Sequence, residues 1–241
     1  MLKAFLGFML IASGIQTAQA ACEIPVRAKS YEKFQQGTYY DVLSVPKSSL
    51  ADLSTSSQFN YAAHFKRKVQ ERTKTDFKYL LERQKPFFKK FPKETERFNK
   101  ALAKKVGRPR QVSCLENFLL DNHLRTFSSE TEFSAYVLTR FDSDQATVVI
   151  YTQLKNGTVA DTPVMNLVEG YRKQGWNVES HIHNHPFFFK NPYGDIAGTI
   201  LPSSADLDTY KHQGATLKIR SAIVTNGFET FVLYRNEFDR L

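Results

Sequence analysis

The chain has 241 residues, with 33 Lys and Arg against 24 Asp and Glu and a formal net charge of +9, and is long enough to bury one large core or two small ones. Beyond the first twenty residues nothing approaches the roughly 18 to 20 consecutive apolar residues that a spanning helix needs, so no transmembrane segment is expected. Internal repeats and low-complexity tracts are absent.

In chain order, Lys3, the apolar run from Ala4 to Ile15 and the small-residue ending Ala18-Gln19-Ala20 read as a secretory signal peptide over residues 1–20. The expectation is an exported, periplasmic or secreted protein whose mature form is soluble and starts at Ala21. A lipoprotein reading of Cys22 is the weaker one, because no aliphatic residue stands three places before it. The chain has two cysteines, Cys22 and Cys114, and an oxidising compartment favours pairing them over leaving two free thiols. Closing a loop of that length stabilises by roughly 4 to 5 kcal/mol on the chain-entropy model, less any strain.

Residues 21–112 form a basic region that is expected to be mainly helical. From Ala21 to Cys114 there are 21 Lys and Arg against 9 Asp and Glu, whereas Leu115 to Leu241 carries 11 against 15, so an excess of +12 gives way to −4. Apolar positions at helical spacing run from about Phe59 to Leu81, with an interruption near Thr75 and Asp76. Pro86 and Pro92 set off a second helix over about Lys93 to Val106, and Gly107, Arg108 and Pro109 begin a linker. Such a surface is either simply solvated or docks on an anionic envelope polymer. Phe87, Phe88 and Phe91 interleave with Lys85, Lys89 and Lys90 in a pattern that would suit stacking on nucleic acid. Helix packing explains it better, and nucleic acid is not the expected partner.

From residue 113 to 241 the pattern is mixed. A short helix around Leu115 to Leu124 precedes alternating runs at Glu132 to Phe141 and Ala146 to Leu154, which read as an antiparallel hairpin. A helix near Pro163 to Lys173, a strand through Asn177 to His183, a long loop and a helix near Ser204 to His212 follow. Strands at Leu217 to Thr225 and Glu229 to Tyr234 close the chain across Asn226-Gly227, a strong hairpin signal. This order implies an α+β sandwich. Asn156-Gly157-Thr158 matches a glycosylation sequon and also serves as a turn.

Chemistry concentrates in His181-Ile182-His183-Asn184-His185-Pro186. Alternate residues of an extended chain share a face, so His183 and His185 can converge on one ion. Zinc accepts imidazole nitrogens and often a carboxylate, with one position left for water, and Asp206 at the start of the next helix can supply the carboxylate. His181 shares that face as a ligand in a shifted register or as a supporting donor. Zinc makes water acidic enough to attack near neutral pH and polarises a carbonyl, so one further carboxylate is needed to carry the proton. Glu132 is the first candidate and Glu130, two residues away on the same strand face, the second. Ser203 could donate to the oxyanion formed when water attacks an amide, although Ser203 and Asp206 also have the spacing of a helix capping box. His64, His123 and His212 lack ligand spacing.

Glu132, His183-Asn184-His185-Pro186 and Ser203-Ser204-Ala205-Asp206 resemble the JAMM, or MPN-plus, metalloprotease pattern of an upstream Glu, His-x-His-Pro and Ser-x-x-Asp. The resemblance covers about Leu115 to Leu241. It implies a JAB/MPN-like, cytidine-deaminase-like mixed sheet with flanking helices. It further implies zinc on His183, His185 and Asp206, Glu132 as general acid/base, Ser203 steadying the tetrahedral intermediate, and hydrolysis of peptide or isopeptide bonds. The 187–201 stretch is longer than the family pattern and carries Phe187-Phe188-Phe189 and Asn191-Pro192-Tyr193-Gly194, a substrate wall or lid. In a bacterial envelope the amides at hand are cell-wall peptide cross-links in peptidoglycan. A secreted deubiquitinase-like effector fits the family equally. A non-catalytic envelope binder on the same scaffold is the alternative from another class, and Glu132 argues against it because metal binding alone does not require that carboxylate.

Overall fold

The computed structural model describes residues 24–25, 27–34, 37–51, 53, 89–103, 105–128, 131–155, 157–158, 160–186 and 198–241. The segment 1–20 expected to be a signal peptide, Cys22, the helix expected over Phe59 to Leu81 and Glu130 lie outside the described residues, as does most of the 187–201 stretch.

The strands are β1 (Glu32–Lys33), β2 (Tyr39–Pro46), β3 (Arg108–Gln111), β4 (Ser134–Thr139), β5 (Gln145–Thr152), β6 (Asn177–Asn184), β7 (Ser221–Thr225) and β8 (Glu229–Tyr234). The helices are α1 (Pro92–Leu102), α2 (Cys114–Phe127), α3 (Thr162–Lys173) and α4 (Ser204–Thr216). One eight-stranded sheet runs β1-β2-β5-β4-β6-β7-β8-β3. Its pairs are antiparallel except β6 with β7. The expected α+β class with a mixed sheet and flanking helices is therefore present. No helix among the described residues is long and apolar enough to cross a membrane.

Helices α2, α3 and α4 start where a side chain satisfies free N–H groups of the first turn. Ser113 Oγ accepts the Glu116 N–H and Glu116 returns a carboxylate oxygen to the Ser113 N–H, a reciprocal cap on α2. Asp161 accepts the Val164 N–H at 3.2 Å to start α3, with Pro163 in its first turn. Ser203 and Asp206 do the same for α4. The central strands read as near-continuous apolar runs because both faces are covered. On one face Ala135, Val137, Val148, Ile150 and Ile182 pack with Leu115, Phe118 and Leu119 of α2. On the other, Tyr136, Leu138, Val149, Tyr151 and Val178 pack with Val164 and Val168 of α3 and with Leu207 and Tyr210 of α4.

The described part of the basic N-terminal region contributes strands as well as a helix. Its described residues include α1, but β1, β2 and β3 belong to the same sheet as the C-terminal half. Asp41, Leu43 and Val45 of β2 alternate inward, and β2 pairs with β5 along its whole length. Arg108 and Pro109, read as linker, lie in β3, an edge strand, where a missing proline N–H is tolerated. Cys114 is disulfide-bonded, and the only other cysteine in the sequence is Cys22.

Gly107 precedes β3 with φ +64°, and a Cβ there would fall well inside contact distance of the Phe231 ring on β8. Left-handed backbone and steric overlap act together at this position. Gly107→Ala is expected to cost about 2–4 kcal/mol in urea unfolding, and a loss below about 1 kcal/mol would contradict this packing.

Candidate metal centre

A one-residue irregularity in β6 aims the histidines. Val137 of β4 pairs with Ser180, but Leu138 pairs with Val178, so Glu179 is an extra residue in the ladder. A bulge of this kind shifts the side-chain alternation by one place. Val178 packs on the α3/α4 face while Ile182 packs on the α2 face, and His181 and His183 therefore face α3 and α4. Opposite them in register are Tyr136 and Ser134. Glu132 lies just before β4, near enough to His185 for its charge to act on that imidazole. Asn184 holds this end of the sheet closed: its Oδ1 accepts the Phe133 N–H at 2.7 Å, and its Nδ2 donates to the Thr131 carbonyl at 3.3 Å.

α4 brings the carboxylate. Asp206 Oδ2 lies 3.5 Å from His183 Nε2 and 3.4 Å from His185 Nε2, and the two nitrogens are 2.9 Å apart. Two ligands about 2.0–2.1 Å from a tetrahedral ion lie roughly 3.3 Å from each other, so the triangle has the size that a small divalent ion requires. The donor set of two imidazoles and a carboxylate suits zinc chemistry. His183 and His185 are buried, Asp206 is partly exposed, and together they could hold a metal ion.

The far sides of these three residues are also held. His185 Nδ1 is 2.9 Å from the Thr199 carbonyl, which can only accept, so the neutral ring carries its proton on Nδ1 and presents a free lone pair on Nε2. His183 Nδ1 is 2.7 Å from the Tyr210 hydroxyl. Asp206 Oδ2 accepts both the Ser203 N–H and the Ser203 hydroxyl, each at 2.7 Å. The capping box and the ligand site thus share one oxygen. Burial pushes the Asp206 carboxyl upward, but the two histidines outweigh it and hold it well below the ordinary carboxylate range. Burial also works against charge on His185, where Asp206, with smaller help from Glu132 and the Thr199 carbonyl, prevails and raises the imidazole.

Glu132 is buried, and its Oε2 accepts the N–H groups of Gly157 and of Thr158, the latter at 3.1 Å. Gly157 and Thr158 of the sequon are therefore in use as a turn that grips this carboxylate. His181, left open between ligand and support, stands outside the triangle: its Nε2 is 3.2 Å from the Tyr151 hydroxyl. Burial, then repulsion from His183, lowers it to about 3 and keeps it neutral. His181→Gln, which can still bond Tyr151, is expected to leave zinc stoichiometry unchanged in elemental analysis. A fall to substoichiometric zinc would make His181 a ligand.

His123 is buried among Phe127 and Phe133 with Nε2 3.2 Å from Thr131 Oγ1, and His212 is exposed. Neither joins the cluster. Tyr210 and the Thr199 carbonyl are site elements that motif reading missed. Tyr210 was accessible to it, since a residue four places after Asp206 on a helix shares its face. Thr199 was not, because a main-chain acceptor leaves no side-chain signature.

Comparison with protein-family models, with curated proteins and with solved structures finds no match for this chain.

Proposed function

We propose that the protein is an exported zinc-dependent metallopeptidase of JAMM type that hydrolyses peptide or isopeptide bonds, with cell-wall peptide cross-links as its substrate class. The observation that carries this reading is the His183, His185 and Asp206 triangle, with the Glu132 carboxylate near enough to His185 for its charge to raise that imidazole. Zinc held there would polarise a carbonyl and make water acidic enough to attack near neutral pH. His183, His185 and Asp206 are the residues that hold it. Glu132 takes the proton of the attacking water and returns it to the departing amine, and its two backbone N–H partners keep one carboxylate oxygen in place. Ser203 positions the ligand oxygen of Asp206, and its oxyanion role requires the hydroxyl to turn from Asp206 toward substrate.

The JAMM-like assignment rests on the motif spacing together with this cluster. Export rests on the N-terminal segment 1–20, and the +12 excess before Leu115 supports docking on an anionic envelope polymer.

Two measurements test the proposal on the full mature chain. Elemental analysis is expected to find about one zinc per chain, as a single site with three protein ligands requires, and protein prepared with zinc but retaining none overturns the assignment. Cross-linked muropeptides incubated with the zinc protein should resolve into monomers by mass spectrometry. Intact cross-links, with ubiquitin-like conjugates cleaved instead, would move the substrate to the effector class. Hydrolysis of neither, with envelope binding that survives Asp206→Asn and fails when the N-terminal lysines are neutralised, would leave a binding protein.

A further inference from the structure

Deleting a hydroxyl that touches a ligating histidine has different consequences from deleting one that touches a neighbouring histidine, and this fold contains both. His181 and His183 lie on the same face of β6, and each ring meets one buried tyrosine. Tyr151 of β5 contacts His181 Nε2 at 3.2 Å, and Tyr210 of α4 contacts His183 Nδ1 at 2.7 Å. Both tyrosines are buried to within 1% of full burial. Only Tyr210 touches a member of the metal triangle.

Asp206 and Tyr210 are four residues apart on α4 and so project from one face of the helix. Between them they grip both nitrogens of His183: Asp206 Oδ2 stands at Nε2 and the Tyr210 oxygen at Nδ1. His185 is held by a carbonyl that can only accept, so its proton position is settled without help. A tyrosine hydroxyl can both donate and accept, and the same ring atom of His183 can therefore be in either state. Offering the Nε2 lone pair to an ion requires the neutral His183 to carry its proton on Nδ1 and donate it to the Tyr210 oxygen. The opposite arrangement, with Tyr210 donating to Nδ1, puts a proton on Nε2 and closes that side of the triangle.

We propose that Tyr210 is the positioning residue of the metal centre: it accepts the Nδ1–H of His183 and so holds that ring in the orientation and tautomer that present Nε2 to a divalent ion beside His185 and Asp206. The inference rests on the metal reading above and adds to it a residue outside the motif. Removing a partner that orients a ligating histidine typically costs 10–100-fold in metal affinity.

The test measures zinc Kd by competition with a chromophoric chelator for the full mature chain, Tyr210→Phe and Tyr151→Phe. Both variants remove one buried phenol oxygen from the same layer, so a general packing effect would move them alike. Tyr210→Phe is expected to weaken zinc about 10–100-fold, whereas Tyr151→Phe stays near wild type. Melting curves in EDTA check that each variant folds. Wild-type affinity in Tyr210→Phe, or an equal loss in Tyr151→Phe, overturns the proposal. Should Tyr210→Phe fail to fold, long-range proton–nitrogen NMR of the zinc-loaded wild type decides instead. His183 is expected with a protonated Nδ1 and a metal-ligating Nε2, and ligation through Nδ1 refutes the assignment. A wild type that takes up no zinc removes the metal reading itself, whereas zinc binding that is indifferent to Tyr210 removes only this residue's role.

Discussion

Glu132→Gln is expected to lower amide hydrolysis by about 10²–10⁴-fold while zinc stays bound, the size of effect that losing a general acid/base produces. Glutamine keeps the length of the side chain and an oxygen that can accept the Gly157 and Thr158 N–H groups, so the turn that grips residue 132 should survive. What it loses is the ability to take a proton. His183→Ala should behave differently, because it deletes one corner of a triangle with sides of 2.9, 3.4 and 3.5 Å, and both zinc and hydrolysis are expected to disappear. Zinc at a hundredfold excess over its Kd stabilises a protein by about 2.7 kcal/mol; the wild-type melting temperature should rise with added zinc, and that of His183→Ala should not. Rates and zinc content measured on the same preparations check the pair. Full activity in Glu132→Gln would place the proton carrier elsewhere, whereas zinc-stimulated melting in His183→Ala would show that the ion sits outside the triangle.

Glu116→Ala should destabilise the fold by about 3–5 kcal/mol, the cost of stranding one member of a buried ion pair. Glu116 is completely buried and the Arg110 side chain only 4% exposed. The pair is a two-pronged contact between β3 and α2, with Arg110 Nη1 at 3.1 Å from Oε2 and Nη2 on Oε1. Glu116 Oε2 also accepts the Ser113 N–H at 2.9 Å and the Thr230 hydroxyl at 2.7 Å, and Arg110 donates to the Leu53 and Gln111 carbonyls. One carboxylate therefore caps a helix and ties α2 to β3 and β8. Alanine would leave the guanidinium buried without its counter-charge and take the acceptor from four donors at once. Urea unfolding measures the loss. Replacing both partners by apolar residues, Arg110→Met with Glu116→Leu, should recover part of it, because two absent charges cost less than one unpaired charge. A single variant within about 1 kcal/mol of wild type would mean that water reaches the pair.

Much of the C-terminal half was legible because its signals are local. Ser113, Asp161 and Ser203 begin helices through contacts three residues away, and the β4–β5 hairpin follows from two apolar runs on either side of a polar turn. The N-terminal region was less legible for the opposite reason. β2 pairs with β5, about a hundred residues later in the chain, so its eight-residue alternation acquires meaning only when the partner is known. β3 carries two arginines and a proline in four residues, a composition that argues for linker until β8 and the Glu116 carboxylate are placed beside it.

At the site the division is similar. The alternation of His183 and His185, the proline after them and the Ser203/Asp206 spacing are properties of the chain itself, and they pointed to the group that could hold a metal ion. They also left Ser203 and Asp206 suspended between helix cap and ligand site; in the fold the Asp206 oxygen that caps α4 is also the one that faces the two histidines, so the two roles are compatible. Which face of the sheet the histidines occupy was settled by the extra residue Glu179 in β6, since a strand alternates with a period of two and a single insertion exchanges the faces. That exchange brings His183 and His185 under α4, where Asp206 and Tyr210 wait one turn apart, and only the packing of that helix on that face turns two histidines and an aspartate into a triangle of metal-ligand size.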